Sequence, residues 1–181
     1  MKKILCITAA LVAAAGIAGA KSSETCADVW ANVPATGPAD LWPAADPSGA
    51  VNVSKGATVK TAAAAAAFDG DKATAWTFDG KKGAAEIAPP ADAKIWFVGV
   101  AAAGDDRKAD PKKIAVSGSK NGTDWVAIAE GKNLQFGKAG EVQHVMLKSP
   151  GAWPAVRVEI TANNGAGTTT VGEIELLAPA P

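Results

Sequence analysis

From Val51 onward the chain alternates short apolar runs with turn-forming residues, at the period of strands rather than helices. Val156, Val158 and Ile160 interleave with Arg157 and Glu159, and Ile174 and Leu176 with Glu173 and Glu175. Side chains two positions apart share one face of a strand, so each of these runs has a buried face and a wet one. Ile95 to Val100 is continuously apolar, which predicts a central strand covered on both faces. Ile114 and Val116, then Asn121-Gly122, then Trp125 to Ile128 predict a hairpin with a two-residue turn. Asp79-Gly80, Pro89-Pro90, Gly104-Asp105-Asp106, Gly137 to Gly140 and Asn163 to Gly167 mark the other turns. The alanine run Ala62 to Ala67 has helix propensity, enough for one turn. Strands at this spacing, with no amphipathic helices between them, predict an all-β antiparallel sandwich or barrel. No internal repeat is visible.

The N-terminal part differs in kind. Residues 1–20 carry Lys2 and Lys3, an apolar run from Ile4 to Ala18, and the small residues Ala18-Gly19-Ala20, the pattern of a cleaved secretory signal. A membrane span needs about 20 apolar residues, and neither this run nor any later one reaches that length comfortably. The expectation is a bacterial protein, secreted or periplasmic, without membrane insertion. Residues 21–50 are broken by Pro34, Pro38, Pro43 and Pro47 and read as an extended segment. Its Trp30, Leu41 and Trp42 are read as lying against the domain, the alternative being an exposed binding surface. The domain itself spans 51–177, and 178–181 form a tail.

Charge removes two classes of partner. The 18 basic residues balance 18 acidic ones, and loss of Lys2 and Lys3 leaves a slight acidic excess. Neither a basic stripe for nucleic acid nor a polybasic patch for anionic lipid is present. Of two cysteines, Cys6 leaves with the signal and Cys26 remains alone. It is a passive thiol or the site of a disulfide between two copies. The Ser-Glu-Thr before it is not the small, apolar context of lipoprotein processing.

Candidate chemistry centres on Phe68-Asp-Gly-Asp-Lys-Ala-Thr-Ala-Trp76. Asp69, Asp71 and Thr74 gather oxygens in a tight turn, and Gly70 provides the backbone freedom for neighbouring carbonyls to converge. Ca2+ takes six to eight such oxygens. The same spacing also fits an acidic surface turn, and it is not an EF-hand loop. For catalysis, a lone His144 and a leader cysteine make no nucleophile–base pair, and no zinc spacing occurs. Asp105 and Asp106 are adjacent in one loop, unlike the opposed carboxylates of glycosidases. The expectation is a non-enzyme.

In order along the chain, three motifs resemble the discoidin, or coagulation factor 5/8 type C, domain of the galactose-binding-like superfamily. They are Val53-Ser-Lys-Gly-Ala-Thr-Val with Phe68 to Trp76; Pro111 to Trp125, containing Ser-Lys-Asn-Gly-Thr-Asp-Trp; and Ala155-Val-Arg-Val-Glu-Ile with Val171 to Leu177. The resemblance implies a jelly-roll β-sandwich of about eight strands, closed by one structural Ca2+. Its implied ligands are Asp69, Thr74 and Glu173, with backbone carbonyls near Ala66, Asp71 and Gly172.

Carbohydrate-binding members of that family hold sugar on loops at one end of the sandwich, with an aromatic face and a few polar side chains. This chain has one His and no Tyr, and Trp76, Trp96 and Trp125 are expected in the core. The ligand-binding candidates are therefore Asp105, Asp106 and Arg107 in one loop and Asn163 and Asn164 in another. A charged solvated loop is the plain alternative for the first, and turn-forming asparagines for the second. Trp153-Pro154 stands where the family has Ala-Arg, so an arginine of the standard pattern is missing. The expected function is recognition of cell-wall or host-surface glycans. The alternative is an extracellular adhesion or scaffolding protein using the same sandwich for protein contacts.

Overall fold

The computed structural model describes residues 49–179. The expected signal, most of the proline-rich segment with Trp30, Leu41 and Trp42, and Cys26 lie outside the described residues. Ten strands run in order: β1 Val51–Asn52, β2 Thr58–Val59, β3 Trp76–Asp79, β4 Gly83–Ala88, β5 Lys94–Ala102, β6 Pro111–Ser119, β7 Trp125–Lys132, β8 Val142–Ala152, β9 Ala155–Asn163 and β10 Thr168–Ala178. They form two antiparallel sheets, one ordered β1-β10-β5-β8 with β3 also on β10, the other β2-β4-β9-β6-β7. Among the described residues, 3-10 turns occur at Ser54–Gly56 and Ala62–Ala67, the second being the alanine run.

Between the sheets lies one apolar layer. Val98 and Val100 of β5 and Ile174 and Leu176 of β10 meet Ile87 of β4, Ile114 and Val116 of β6, and Val156, Val158 and Ile160 of β9. Trp76 and Phe68 close its flank. Removing such side chains from water is the main force holding the layers together, at about 25 cal/mol per Å2 of apolar surface.

β5 is central in its sheet and covered on both faces for most of its length, as its apolar run predicts. Four details differ from expectation. The β6–β7 connection is five residues long, 120–124, because the Asn121 side chain accepts the Thr123 and Asp124 N–H groups at 3.0 and 2.8 Å and holds a wider loop. Trp125 is only half-buried, with the Arg157 guanidinium 4.0 Å from its ring centroid. Trp96 is likewise half-buried, against a separate small cluster of Phe97 and Leu177. Only Trp76 of the three tryptophans joins the central core, since the other two project from faces with no second sheet over them. β10 also extends through Ala178, into the expected tail.

The edge of β10 positions the site. Val171 pairs with Ala102 of β5 and Trp76 of β3, and Leu177 with Phe97 of β5 and Asn52 of β1. A strand has two edges, so β1 and β3 share the one opposite β5. The stretch between them, around Glu173, is left to the turn that follows the alanine run.

Candidate functional site

At Gly172 the β10–β5 register shifts between Val171 and Glu173, making Gly172 the extra residue of a bulge. A Cβ there would stand 2.8 Å from the Ala102 carbonyl oxygen, so a side chain is excluded. The bulge also resets the alternation. Val171, Ile174 and Leu176 face the core, while Glu173 leaves that face and meets the Asp69 turn. Glu173 is nevertheless 1% exposed. The Gly70 N–H donates to both its oxygens, at 3.3 and 3.2 Å. Burial, only partly opposed by that N–H, pushes the carboxyl up to about 7.

The turn itself gathers oxygens. Thr74 Oγ1 lies 2.8 Å from Asp69 Oδ2, 2.8 Å from the Asp71 carbonyl and 3.1 Å from the Ala66 carbonyl. One hydroxyl has one proton, so it satisfies only one of these acceptors well. The Asp71 carbonyl also accepts the Thr74 backbone N–H at 3.2 Å, while Asp69 Oδ2 and the Ala66 carbonyl share the one hydroxyl, a convergence of oxygens of the kind a hard cation uses. Asp69 Oδ1 accepts the Asp71 N–H at 2.8 Å; that bond, followed by the Thr74 hydroxyl, holds its carboxyl below the ordinary range. Asp71 turns its own carboxylate to the Ala73 N–H at 2.9 Å, leaving its carbonyl to face Thr74. Gly70 adopts φ +81°, and a Cβ there would strike the Lys55 side chain. Among the described residues no three His, Cys, Asp or Glu side chains are disposed to hold a metal. A cation here would thus rest on carbonyls and a hydroxyl as much as on carboxylates.

Beside the turn, Lys72 Nζ is 3.3 Å from Glu175 Oε1, and His144 Nε2 is 3.9 Å from Glu175 Oε2. Gly99 lies between Glu175 and His144 in the sheet and leaves them room to approach. Burial holds the imidazole below its usual range, with Glu175 opposing. His144 projects outward from β8. The Lys72–Glu175–His144 row was not legible beforehand, because it joins side chains from three distant segments.

The ligand-binding candidates occupy the end of the sandwich where β5 and β9 finish. Loops 103–110 and 164–167 are stitched by backbone bonds from Asn164 N–H to Asp110 O (3.2 Å), Ala166 N–H to Lys108 O (3.1 Å) and Thr170 N–H to Ala109 O (3.0 Å). Asp105, Asp106 and Asn164 are exposed on this frame. Arg107 and Asn163 are engaged within it. Arg107 donates to the Ala103 and Gly104 carbonyls and sits 3.2 Å from Asp110, a buried carboxylate that accepts no hydrogen bond. Burial pushes Asp110 up to about 6 despite the guanidinium. Asn163 donates to the Ala166 and Thr168 carbonyls and to Thr169 Oγ1, and accepts the Gly165 N–H. Asp110 was missed in the sequence; an Asp before Pro reads as a turn residue until its burial is seen.

A two-sheet jelly roll, with an oxygen-rich turn clasped to its last strand and stitched loops at one end, defines the class. The F5/8 type C domain family model matches residues 50–174, and the chain belongs to that family. No curated protein matches. Among solved structures, the F5/8 type C domain of a Bacteroides fragilis protein superposes with TM-score 0.61 at 17% identity, over 75% of this chain and 100% of that one. The family 32 carbohydrate-binding module of Clostridium perfringens NanJ, in complex with galactose, gives 0.56 at 16%, over 71% and 98%. CpGH89CBM32-5 from Clostridium perfringens, in complex with GalNAc-β-1,3-galactose, gives 0.56 at 16%, over 70% and 99%.

Proposed function

We propose that this chain is an exported, non-catalytic glycan-binding domain whose fold is clasped by one Ca2+. The observation that carries the reading is the stitched loop pair, which presents Asp105, Asp106 and Asn164 on a rigid frame. Sugar hydroxyls need fixed acceptors and donors, and a preformed frame lowers the ordering cost of binding them. The ligands of the two Clostridium perfringens neighbours, galactose and GalNAc-β-1,3-galactose, support the same class of partner. Arg107 serves that frame from within, by holding Asp110 and two carbonyls of its own loop.

The cation would be held by Asp69, Thr74 and Glu173 with carbonyls of Ala66, Asp71 and Gly172. Bound there, it supplies positive charge between carboxylates and ties the early turn to β10. Without it, the Gly70 N–H and the Lys72 charge act on Glu173, and the Asp71 N–H and the Thr74 hydroxyl on Asp69. Export rests on the N-terminal signal pattern.

Screening the full chain on a glycan array, with calcium and with chelator, tests the proposal. Retention of galactose-containing or related glycans that weakens with chelator is the expected result. Retention of no glycan at millimolar concentration overturns it. A protein-contact role is the second reading, favoured by Met146, 59% exposed next to Phe97 on the outer face of its sheet.

A further inference from the structure

At the opposite end of the sandwich, the β4–β5 loop, the β8–β9 turn and Lys120 line a half-open cavity of about 440 Å3. Nine-residue β5 separates it from the stitched loops, a distance of roughly 25 Å at about 3.3 Å per residue. Its walls include Trp153 and the rings of Pro89, Pro90 and Pro154, with Asp92 and Lys120 among its polar lining.

Trp153 is fixed from two directions. Its Nε1–H donates to the Ser149 carbonyl at 3.2 Å, and its ring lies against Gly118, where a Cβ would come within 2.5 Å. Lys120 Nζ sits 4.4 Å from the ring centroid and donates to the Ala152 carbonyl. Asp92 is held at φ +66°, a left-handed conformation uncommon outside glycine, in the loop that shapes the cavity.

We propose that this cavity is a second glycan site, taking one neutral pyranose ring. The proposal rests on the glycan-binding reading above and extends it to a separate place on the fold. The volume falls in the range of small-ligand pockets, which runs from about 300 to 1,000 Å3. An indole and three proline rings offer rigid apolar walls to the C–H face of a sugar, with little side-chain entropy to lose. The Asp92 carboxylate supplies acceptors, and the Lys120 ammonium, one of whose three N–H groups is used on the Ala152 carbonyl, supplies donors for hydroxyls. Because Asp92 and Lys120 carry opposite charges, an ion of either sign meets repulsion from one of them, whereas a neutral polyhydroxyl ring uses both. Two sites at opposite ends would let one domain bridge glycan chains, raising avidity on a dense surface.

The test is an 15N-labelled full chain titrated with galactose, N-acetylgalactosamine and N-acetylglucosamine by NMR. Saturable movement of the Trp153 indole N–H with at least one sugar is expected. Lys120→Met and Asp92→Asn, both at exposed positions, should each weaken that response about tenfold, the loss of one charge-assisted hydrogen bond. If the Trp153 signal stays still while signals of loops 103–110 or 164–167 respond, the second site is wrong and the glycan-binding reading stands. If nothing responds anywhere, both fall. An indole shift left unchanged by both substitutions also overturns the assignment.

Discussion

Gly70 and Glu173, 103 residues apart in sequence, are joined by a backbone N–H shared between two carboxylate oxygens. The contact ties the early turn to the final strand at the gap between β1 and β3. Glu173→Ala would strand that N–H and open a buried space. A loss of about 1–3 kcal/mol in urea unfolding is expected even without added metal. Glu173→Gln keeps an acceptor for Gly70 and should lose far less.

The same carboxyl sets a pH dependence. Its folded pKa of about 7 lies above the ordinary 4.5, so the folded chain binds the proton more tightly than the unfolded one. In chelator, the protonated group carries no penalty below about pH 4.5, and stability falls as pH rises from there through about 7. Asp110, raised from 3.8 to about 6, acts in the same direction over a lower window. Unfolding midpoints at acid and mildly alkaline pH should show the decline, and Glu173→Gln with Asp110→Asn should flatten it.

Gly172→Ala probes the bulge. The added carbon meets the Ala102 carbonyl, which is backbone and has little room to move. A loss of about 1–3 kcal/mol is expected from overpacking. Because the same glycine turns Glu173 outward, any calcium-dependent rise in melting temperature should shrink in this variant, as differential scanning calorimetry would show.

Arg107→Ala separates frame from contact. It leaves the buried Asp110 without its cation and frees the Ala103 and Gly104 carbonyls. Since the guanidinium is partly solvated, about 2 kcal/mol is expected, below the usual cost of breaking a fully buried pair. Glycan retention should fall through loop disorder, visible as faster amide exchange across 103–110 in hydrogen-exchange mass spectrometry.

Much of the architecture was legible because period-two patterning reports which face of a strand is buried: Val156, Val158 and Ile160 enter the core and Arg157 and Glu159 do not. What patterning does not report is which face has a second layer over it. Trp125 and Trp96 are apolar residues on strands, yet they lie outside the central layer. The oxygen-rich turn was visible through its Asp-Gly spacing, and the approach of Glu173 through family resemblance. The Gly172 bulge, Asp110 and the Trp153 cavity were not visible, since each depends on contacts between segments far apart in sequence.

The most direct measurement is the melting temperature of the full chain with calcium and with chelator at neutral pH, repeated for Asp69→Asn and Glu173→Gln. A cation clasp predicts a rise of several degrees with calcium in the parent protein, and little or none in either variant. Identical melting with and without calcium in the parent protein would contradict it.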